Sequence, residues 1–125
     1  KINNIIEIIL YTLLLYFLQL FLPVIFKSKM TPEMFQRSRR ATENLKESLP
    51  AFLALAILSI SVDVQTNDAS AYGWLFLRVI FAVIYISGFN LKPANAAGHR
   101  SQPLRSFVWA LSIVALFNMG FNFIR

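Results

Sequence analysis

Four long apolar segments, separated by short polar connections, dominate this chain of 125 residues. They cover residues 5–26, 47–64, 71–89 and 104–124, and a helix of about 17–25 residues spans a bilayer. Soluble domains are about 45–50% apolar and about 25% charged, whereas this chain is 57% hydrophobic and 14% charged. The sequence therefore predicts an all-α integral membrane protein, a four-helix bundle with a single domain over residues 1–125.

Basic residues are distributed unevenly between the connections. The first connection and its flanks contain Lys27, Lys29, Arg37, Arg39, Arg40 and Lys46, and the third contains Lys92, Arg100 and Arg105. The second connection, residues 62–70, contains none. Since cytoplasmic loops are enriched in Lys and Arg, we expect the first and third connections in the cytoplasm and both termini on the outer side. We interpret the net charge of +6 as a property of cytoplasmic loops that contact anionic lipid, rather than as a sign of nucleic-acid binding.

Composition also limits the chemistry that is available. The chain has no cysteine, which excludes disulfides, thiolate metal ligands and a cysteine nucleophile. Its single histidine, His99, has no partner at metal-ligand spacing, so we expect a loop residue and no metal site. Residues 90–102 combine Pro, Gly, Ala, Asn and charged residues, which predicts an exposed, mobile loop.

A stripe of polar residues enters the second apolar segment. Arg37, Arg40, Asn44 and Glu47 recur at i, i+3, i+7 and i+10. This spacing aligns them along one face of a helix. Each ionisable group that enters hydrocarbon costs about 2.5 kcal/mol or more, so such groups usually face a cavity or a partner. The stripe is therefore a candidate binding site.

The third and fourth segments carry polar and aromatic residues at the same depth as the stripe. These residues are Tyr85 in the third segment and Arg105, Ser106 and Trp109 in the fourth. Tyr85 shares one helical face with Arg78 and Phe81, which precede it at the i, i+3, i+7 spacing. If their helical faces point inward, they form a basic, aromatic-lined pocket near the cytoplasmic boundary. Tyr85 and Trp109 fit an aromatic belt at the membrane surface equally well.

Other charged and polar residues are expected to have structural roles. Arg78 lies near mid-bilayer and needs a buried partner, for which Glu47 is the candidate. Asn118 and Asn122, one turn apart, are expected to form hydrogen bonds between helices. The residues expected to anchor the chain to lipid phosphates are Arg37, Arg39 and Lys46.

Residues 40–50 read Arg-Ala-x-x-Asn-x-x-Glu-x-x-Pro, which resembles the second-helix motif of the MAPEG family, the membrane-associated proteins of eicosanoid and glutathione metabolism. Residues 47–50, Glu-Ser-Leu-Pro, are most similar to bacterial members. The likeness continues through Arg78, residues 85–88 and residues 104–109. Five fixed positions match by chance with a probability below about 10⁻⁴, at residue frequencies near one in twenty.

This resemblance implies a homotrimer in a bacterial inner membrane, with glutathione bound as co-substrate between neighbouring subunits on the cytoplasmic side. The residues implied as glutathione contacts are Arg40, Asn44, Glu47, Tyr85 and Arg105, to which their position adds Ser106 and Trp109. Arg105 occupies the place of the arginine that stabilises the thiolate in the family's transferases. A lipophilic second substrate would arrive from the bilayer.

Three functions stay open from the sequence. The first is a glutathione transferase or peroxidase acting on lipophilic electrophiles or lipid hydroperoxides. A specific eicosanoid synthase is less favoured, because Phe81 stands where such members have Tyr or His. The second is a non-catalytic lipid- or partner-binding protein of the same fold. The third is a small multidrug transporter with Glu7 as its membrane carboxylate, although Glu7 lies near the outer end and the arginines would repel cationic drugs.

Overall fold

The computed structural model describes residues 4–89, 91–93, 96 and 102–124. Within them the helices are α1 (Asn4–Ile25), α2 (Pro32–Ser61), α3 (Asn67–Ser87) and α4 (Pro103–Phe121), and a short 3-10 turn, Lys27–Lys29, leads from α1 to α2. The predicted all-helical fold with four helices is confirmed. His99 and most of the predicted loop over residues 90–102 lie outside the described residues.

In the part of the chain that the structure describes, three helices are long and apolar enough to cross a membrane by length and composition, namely α1, α3 and α4. They indicate an integral membrane protein. Their outer faces are apolar as well, with exposed side chains such as Leu14 and Phe17 on α1 and Phe117 on α4. Such surfaces suit lipid rather than water.

Helix α2 begins earlier than the segment predicted over residues 47–64. Its first residue is Pro32, which suits the first position of a helix because its missing N–H would be unpaired there anyway. The side chain of Thr31 caps this end and accepts a hydrogen bond from the backbone N–H of Met34 at 3.1 Å. Since the first half of α2 is polar, its crossing of the membrane stays a prediction.

The helices pack around α3, which contacts α4, α2 and α1, while α1 also packs along α2. The main core lies between α2 and α3, where the rings of Phe52 and Trp74 stack with centroids 4.0 Å apart. Ile8 from α1 and Met119 from α4 are fully buried against this pair. A second, smaller core joins α3 to α4 and consists of Phe81, Ile84 and Val108. The two cores fix α3 between its neighbours.

A buried polar network connects α2, α3 and α4 at the end where α2 leads into α3. Asn67 is fully buried, and its Nδ2 donates to Ser59 Oγ at 2.8 Å and to the carbonyl of Met119 at 3.2 Å. Its Oδ1 accepts a hydrogen bond from Asn122 Nδ2 at 2.6 Å. Asn118 donates to the hydroxyl of Ser70 on α3. The predicted interhelical roles of Asn118 and Asn122 are therefore confirmed, whereas Asn67 was not predicted.

Replacing Asn67 by alanine is expected to lower the free energy of unfolding by about 1–3 kcal/mol, because it removes several buried hydrogen bonds and leaves their partners unsatisfied. Thermal unfolding of the detergent-purified protein measures the change. Asn4→Ala is the matched control, since Asn4 makes a surface contact of 3.3 Å with Asp68. That variant is expected to change stability by less than about 0.5 kcal/mol. Equal losses in both variants would contradict the buried network.

Candidate functional site at the junction of α2, α3 and α4

Arg78 is buried in the middle of α3 and binds α2. Only 1% of the residue is exposed, and its Nη2 donates to Asn44 Oδ1 at 2.8 Å. The predicted partner, Glu47, is wrong: Glu47 is exposed, and in the described structure Arg78 hydrogen bonds to Asn44 instead. The two candidates differ by three residues, or about 4.5 Å along the helix axis. The packing of α3 against α2 therefore places the amide of Asn44, and not the carboxylate of Glu47, beside the guanidinium of Arg78.

A series of contacts extends from Asn44 and Arg78 through two aromatic rings to α4. The guanidinium carbon of Arg78 lies 4.4 Å from the centroid of the Phe81 ring. Phe81 meets Tyr85 edge to face, with centroids 5.6 Å apart. Arg105, in the first turn of α4, places its guanidinium carbon 4.4 Å from the centroid of Tyr85. We call these five residues the arginine–aromatic ladder, because each contacts the next across three helices.

The remaining predicted site residues lie beside the ladder. They are Arg40 and Glu47 on α2 and Ser106 and Trp109 on α4, all four exposed. None of these side chains forms a hydrogen bond or ion pair with another residue in the described ranges. On α2, Arg40 precedes Asn44 by one turn and Glu47 follows it by about one turn. The structure thus brings together Asn44, Tyr85 and Arg105, and leaves the other four available at the surface.

Arg37 holds the end of α3, a role that the sequence did not predict, and its predicted lipid contact stays a prediction. Its Nε and Nη2 each donate to the carbonyl of Ile86 at 3.4 Å. The unpaired carbonyls at a helix C-terminus carry partial negative charge, which a cation stabilises. Gly88 then ends the helix with a φ of 77°. Arg37 therefore fixes the turn of α3 that carries Tyr85.

Gln102 fixes the same junction from the other side and was not identified from the sequence. It was assigned to the exposed loop, yet only 1% of it is exposed. Its Nε2 donates to the carbonyls of Ile84 and Phe89, both at 2.7 Å. Because Gln102 directly precedes α4, these bonds tie the start of α4 to the end of α3. They set the distance between Tyr85 and Arg105, and no local sequence pattern indicated them.

A groove of about 420 Å³ lies on the opposite side of α2, between this helix and α1. Its charged lining residues are Arg39, Glu43 and Lys46. The predicted lipid contacts of Arg39 and Lys46 stay predictions. Arg39 and Lys46 therefore lie on a different face of α2 from Asn44, which contacts Arg78 in the ladder.

The ladder is suited to bind an anion next to an aromatic wall. The guanidinium carbon of Arg105 lies over the Tyr85 ring, and no residue in the described ranges accepts a hydrogen bond from its N–H donors, so they remain available. Arg40 adds a second cation, which is exposed, and Glu47 adds a carboxylate. Among the described residues, no group of three or more His, Cys, Asp or Glu could hold a metal ion. The chemistry available from these residues is recognition and stabilisation of negative charge.

Comparison with known proteins gives one family match. The model described as "MAPEG family" matches residues 8–124, a range that contains the complete ladder and all the predicted site residues. No curated protein and no solved structure gives a significant match.

Proposed function

This chain belongs to the MAPEG family, and on that premise we propose that it is a membrane-embedded glutathione transferase or glutathione-dependent peroxidase. Its second substrate is a lipophilic electrophile or a lipid hydroperoxide. The observation that carries the proposal is the position of Arg105, whose guanidinium is held 4.4 Å above Tyr85 at the end of the ladder. An arginine fixed in this way can stabilise a thiolate without first having to be ordered.

The charges around the ladder complement those of glutathione, which has two carboxylates and one ammonium group. Arg40 and the N–H groups of Asn44 suit a carboxylate, and arginine binds carboxylates particularly well because its planar donors match their geometry. Glu47 suits the ammonium group. Ser106 and Trp109, which flank Arg105 on α4, are proposed as further contacts. All four side chains other than Asn44 are exposed, so a ligand can reach them.

Arg105 would lower the pKa of the bound thiol. A free thiol has a pKa of about 8.5 and is mostly protonated at neutral pH, whereas the thiolate is the nucleophile. Lowering that pKa by about two units requires about 2.7 kcal/mol of preferential thiolate stabilisation. A charge-assisted hydrogen bond from a half-buried guanidinium is of this order. The ladder therefore supplies a sufficient physical cause.

Both proposed reactions start from the same thiolate, after its proton has passed to water. In a transfer reaction, the sulfur forms a C–S bond with the electrophilic carbon, and the bond to the leaving group breaks. In a peroxidase reaction, the sulfur attacks the terminal hydroperoxide oxygen and the O–O bond breaks, which gives a glutathione sulfenic acid and an alkoxide that takes a proton from water to leave as the alcohol. A second glutathione then gives the disulfide and water. Hydroperoxide is reduced and glutathione is oxidised.

We place the site at the cytoplasmic face of a bacterial inner membrane, in a homotrimer with glutathione between neighbouring subunits. The connection from α1 to α2 carries Lys27 and Lys29, and Arg37 lies beside the end of α3. The ladder lies towards this basic end of the bundle, which the positive-inside rule assigns to the cytoplasm. Arg40 and Glu47 are exposed in one subunit, which leaves room for a neighbouring subunit and a shared ligand.

The proposal is tested by adding glutathione to the detergent-purified protein and recording the ultraviolet difference spectrum of the thiolate at neutral pH. We expect a saturable thiolate signal in the wild type and its loss in Arg105→Ala. Arg39→Ala is the matched control, because Arg39 is a neighbouring cation that lines the α1–α2 groove on the other face of α2. It is expected to keep the signal.

Other outcomes would favour other functions. Binding of glutathione without thiolate would support a non-catalytic member of the family. No binding would overturn the enzyme proposal. A multidrug transporter gains no support from the fold, since Glu7, its proposed carboxylate, lies in the first turn of α1.

A further inference from the structure

We infer that Arg78 is a positioning residue that holds the amide of Asn44 with its nitrogen, rather than its oxygen, towards the ligand. The inference rests on the proposed function and specifies part of it. Asn44 then acts as a hydrogen-bond donor, and the atom that it selects in the ligand is an oxygen acceptor such as a carboxylate.

The contact between Arg78 and Asn44 determines the orientation of the amide by chemistry alone. An arginine side chain has five N–H donors and no acceptor. The Asn44 atom that lies 2.8 Å from Arg78 Nη2 must therefore be the carbonyl oxygen. The two ends of an asparagine amide look alike by shape, and only hydrogen-bond partners of one kind distinguish them. Here the partner is unambiguous.

The other end of the Asn44 amide remains available. Asn44 is half-buried, so part of its side chain reaches the surface. No residue in the described ranges accepts a hydrogen bond from its Nδ2. Nδ2 of Asn44 is also not among the buried polar atoms that lack a partner, so it is accessible, at a position on α2 between Arg40 and Glu47.

A purely structural role would not account well for an arginine at position 78. Its Nε and Nη1 are buried and have no hydrogen-bond partner in the described structure. A buried charge with unsatisfied donors is destabilising, and an apolar residue of similar volume would be tolerated better. What the charge adds is polarisation of the Asn44 amide, since a hydrogen bond from a cation to its oxygen strengthens the N–H groups as donors. The Phe81 ring also contacts the guanidinium, whose carbon lies 4.4 Å from the ring centroid.

The first test is Asn44→Asp, measured by calorimetric titration of the purified protein with glutathione. The substitution keeps an oxygen for Arg78 and converts the contact into an ion pair, so the thermal midpoint is expected to stay at or above that of the wild type. It removes both N–H donors and places negative charge beside the ligand. We expect the dissociation constant to rise about tenfold or more, the loss that one charge-assisted hydrogen bond represents.

The second test separates positioning from a general structural effect. Arg78→Met is expected to weaken glutathione binding about threefold to tenfold in the wild-type background, and hardly at all when combined with Asn44→Ala. Arg78→Lys is expected to restore most of the affinity, because an ammonium group also donates only to the amide oxygen.

The outcomes distinguish this inference from the proposed function. Wild-type affinity in Asn44→Asp, or an Arg78→Met effect of the same size in both backgrounds, would overturn the inference and leave glutathione binding intact. A wild-type protein that binds no glutathione would overturn the proposed function and the inference with it.

Discussion

Arg105→Ala is expected to slow the addition of glutathione to a lipophilic electrophile far more at low pH than at high pH. If Arg105 lowers the pKa of the bound thiol from about 8.5 to about 6.5, half of the thiol is ionised at pH 6.5 in the wild type and about 1% in the variant. At pH 9.5 both are almost fully ionised. The ratio of wild-type to variant rate should therefore fall about 50-fold between these pH values, as measured by the pH profile of kcat/KM for the electrophile at saturating glutathione.

The change in this ratio isolates the effect on thiol acidity. Any effect of Arg105 on ligand placement or on the reactivity of the thiolate itself changes the rate by the same factor at every pH, and remains as an offset at pH 9.5. Arg105→Lys keeps a cation but loses the planar stacking on Tyr85, and is expected to fall between the two profiles. A rate ratio that stays constant with pH would show that Arg105 does not control the ionisation.

Gly88→Ala is expected to lower the free energy of unfolding by about 1–2 kcal/mol, because a residue with a Cβ is destabilised by about that amount in the left-handed backbone conformation. Gly88 has a φ of 77°. The new Cβ would also lie 3.1 Å from Nη2 of Arg37 and displace the guanidinium from the end of α3. Because Arg37 fixes the turn that carries Tyr85, glutathione binding should weaken as well. Thermal unfolding and calorimetric titration measure the two effects.

Gly73→Ala is the matched control, with the same chemical change inside α3 rather than at its C-terminal cap. An added Cβ at Gly73 meets nothing within 4 Å. Alanine has a higher helix propensity than glycine, so this variant is expected to leave stability unchanged or raise it by up to about 1 kcal/mol. Opposite signs at the two positions would identify the left-handed cap at Gly88 as the cause. A loss of the same size at both positions would contradict it.

The sequence located most of the ladder but not the contacts within it. Helical spacing placed Arg78, Phe81 and Tyr85 on one face, and the structure confirms that each contacts the next. The sequence could not show that Arg105 reaches Tyr85, because the distance between these residues depends on how α4 is joined to α3. Gln102 makes this connection with two hydrogen bonds to carbonyls of the preceding segment. A glutamine before a proline gives no local sign of such a role.

Apolar composition by itself determined the helical class and the approximate limits of α1, α3 and α4, and the motif over residues 40–50 indicated the family, because these properties depend on residues close together in the chain. Tertiary structure alone decided which side chain meets which. Arg78 binds Asn44 instead of Glu47, and Arg37 donates to the carbonyl of Ile86 at the end of α3. Both outcomes depend on the axial offset and rotation of one helix against another. Those quantities are set by packing, such as the stacking of Phe52 on Trp74, and local sequence spacing does not contain them.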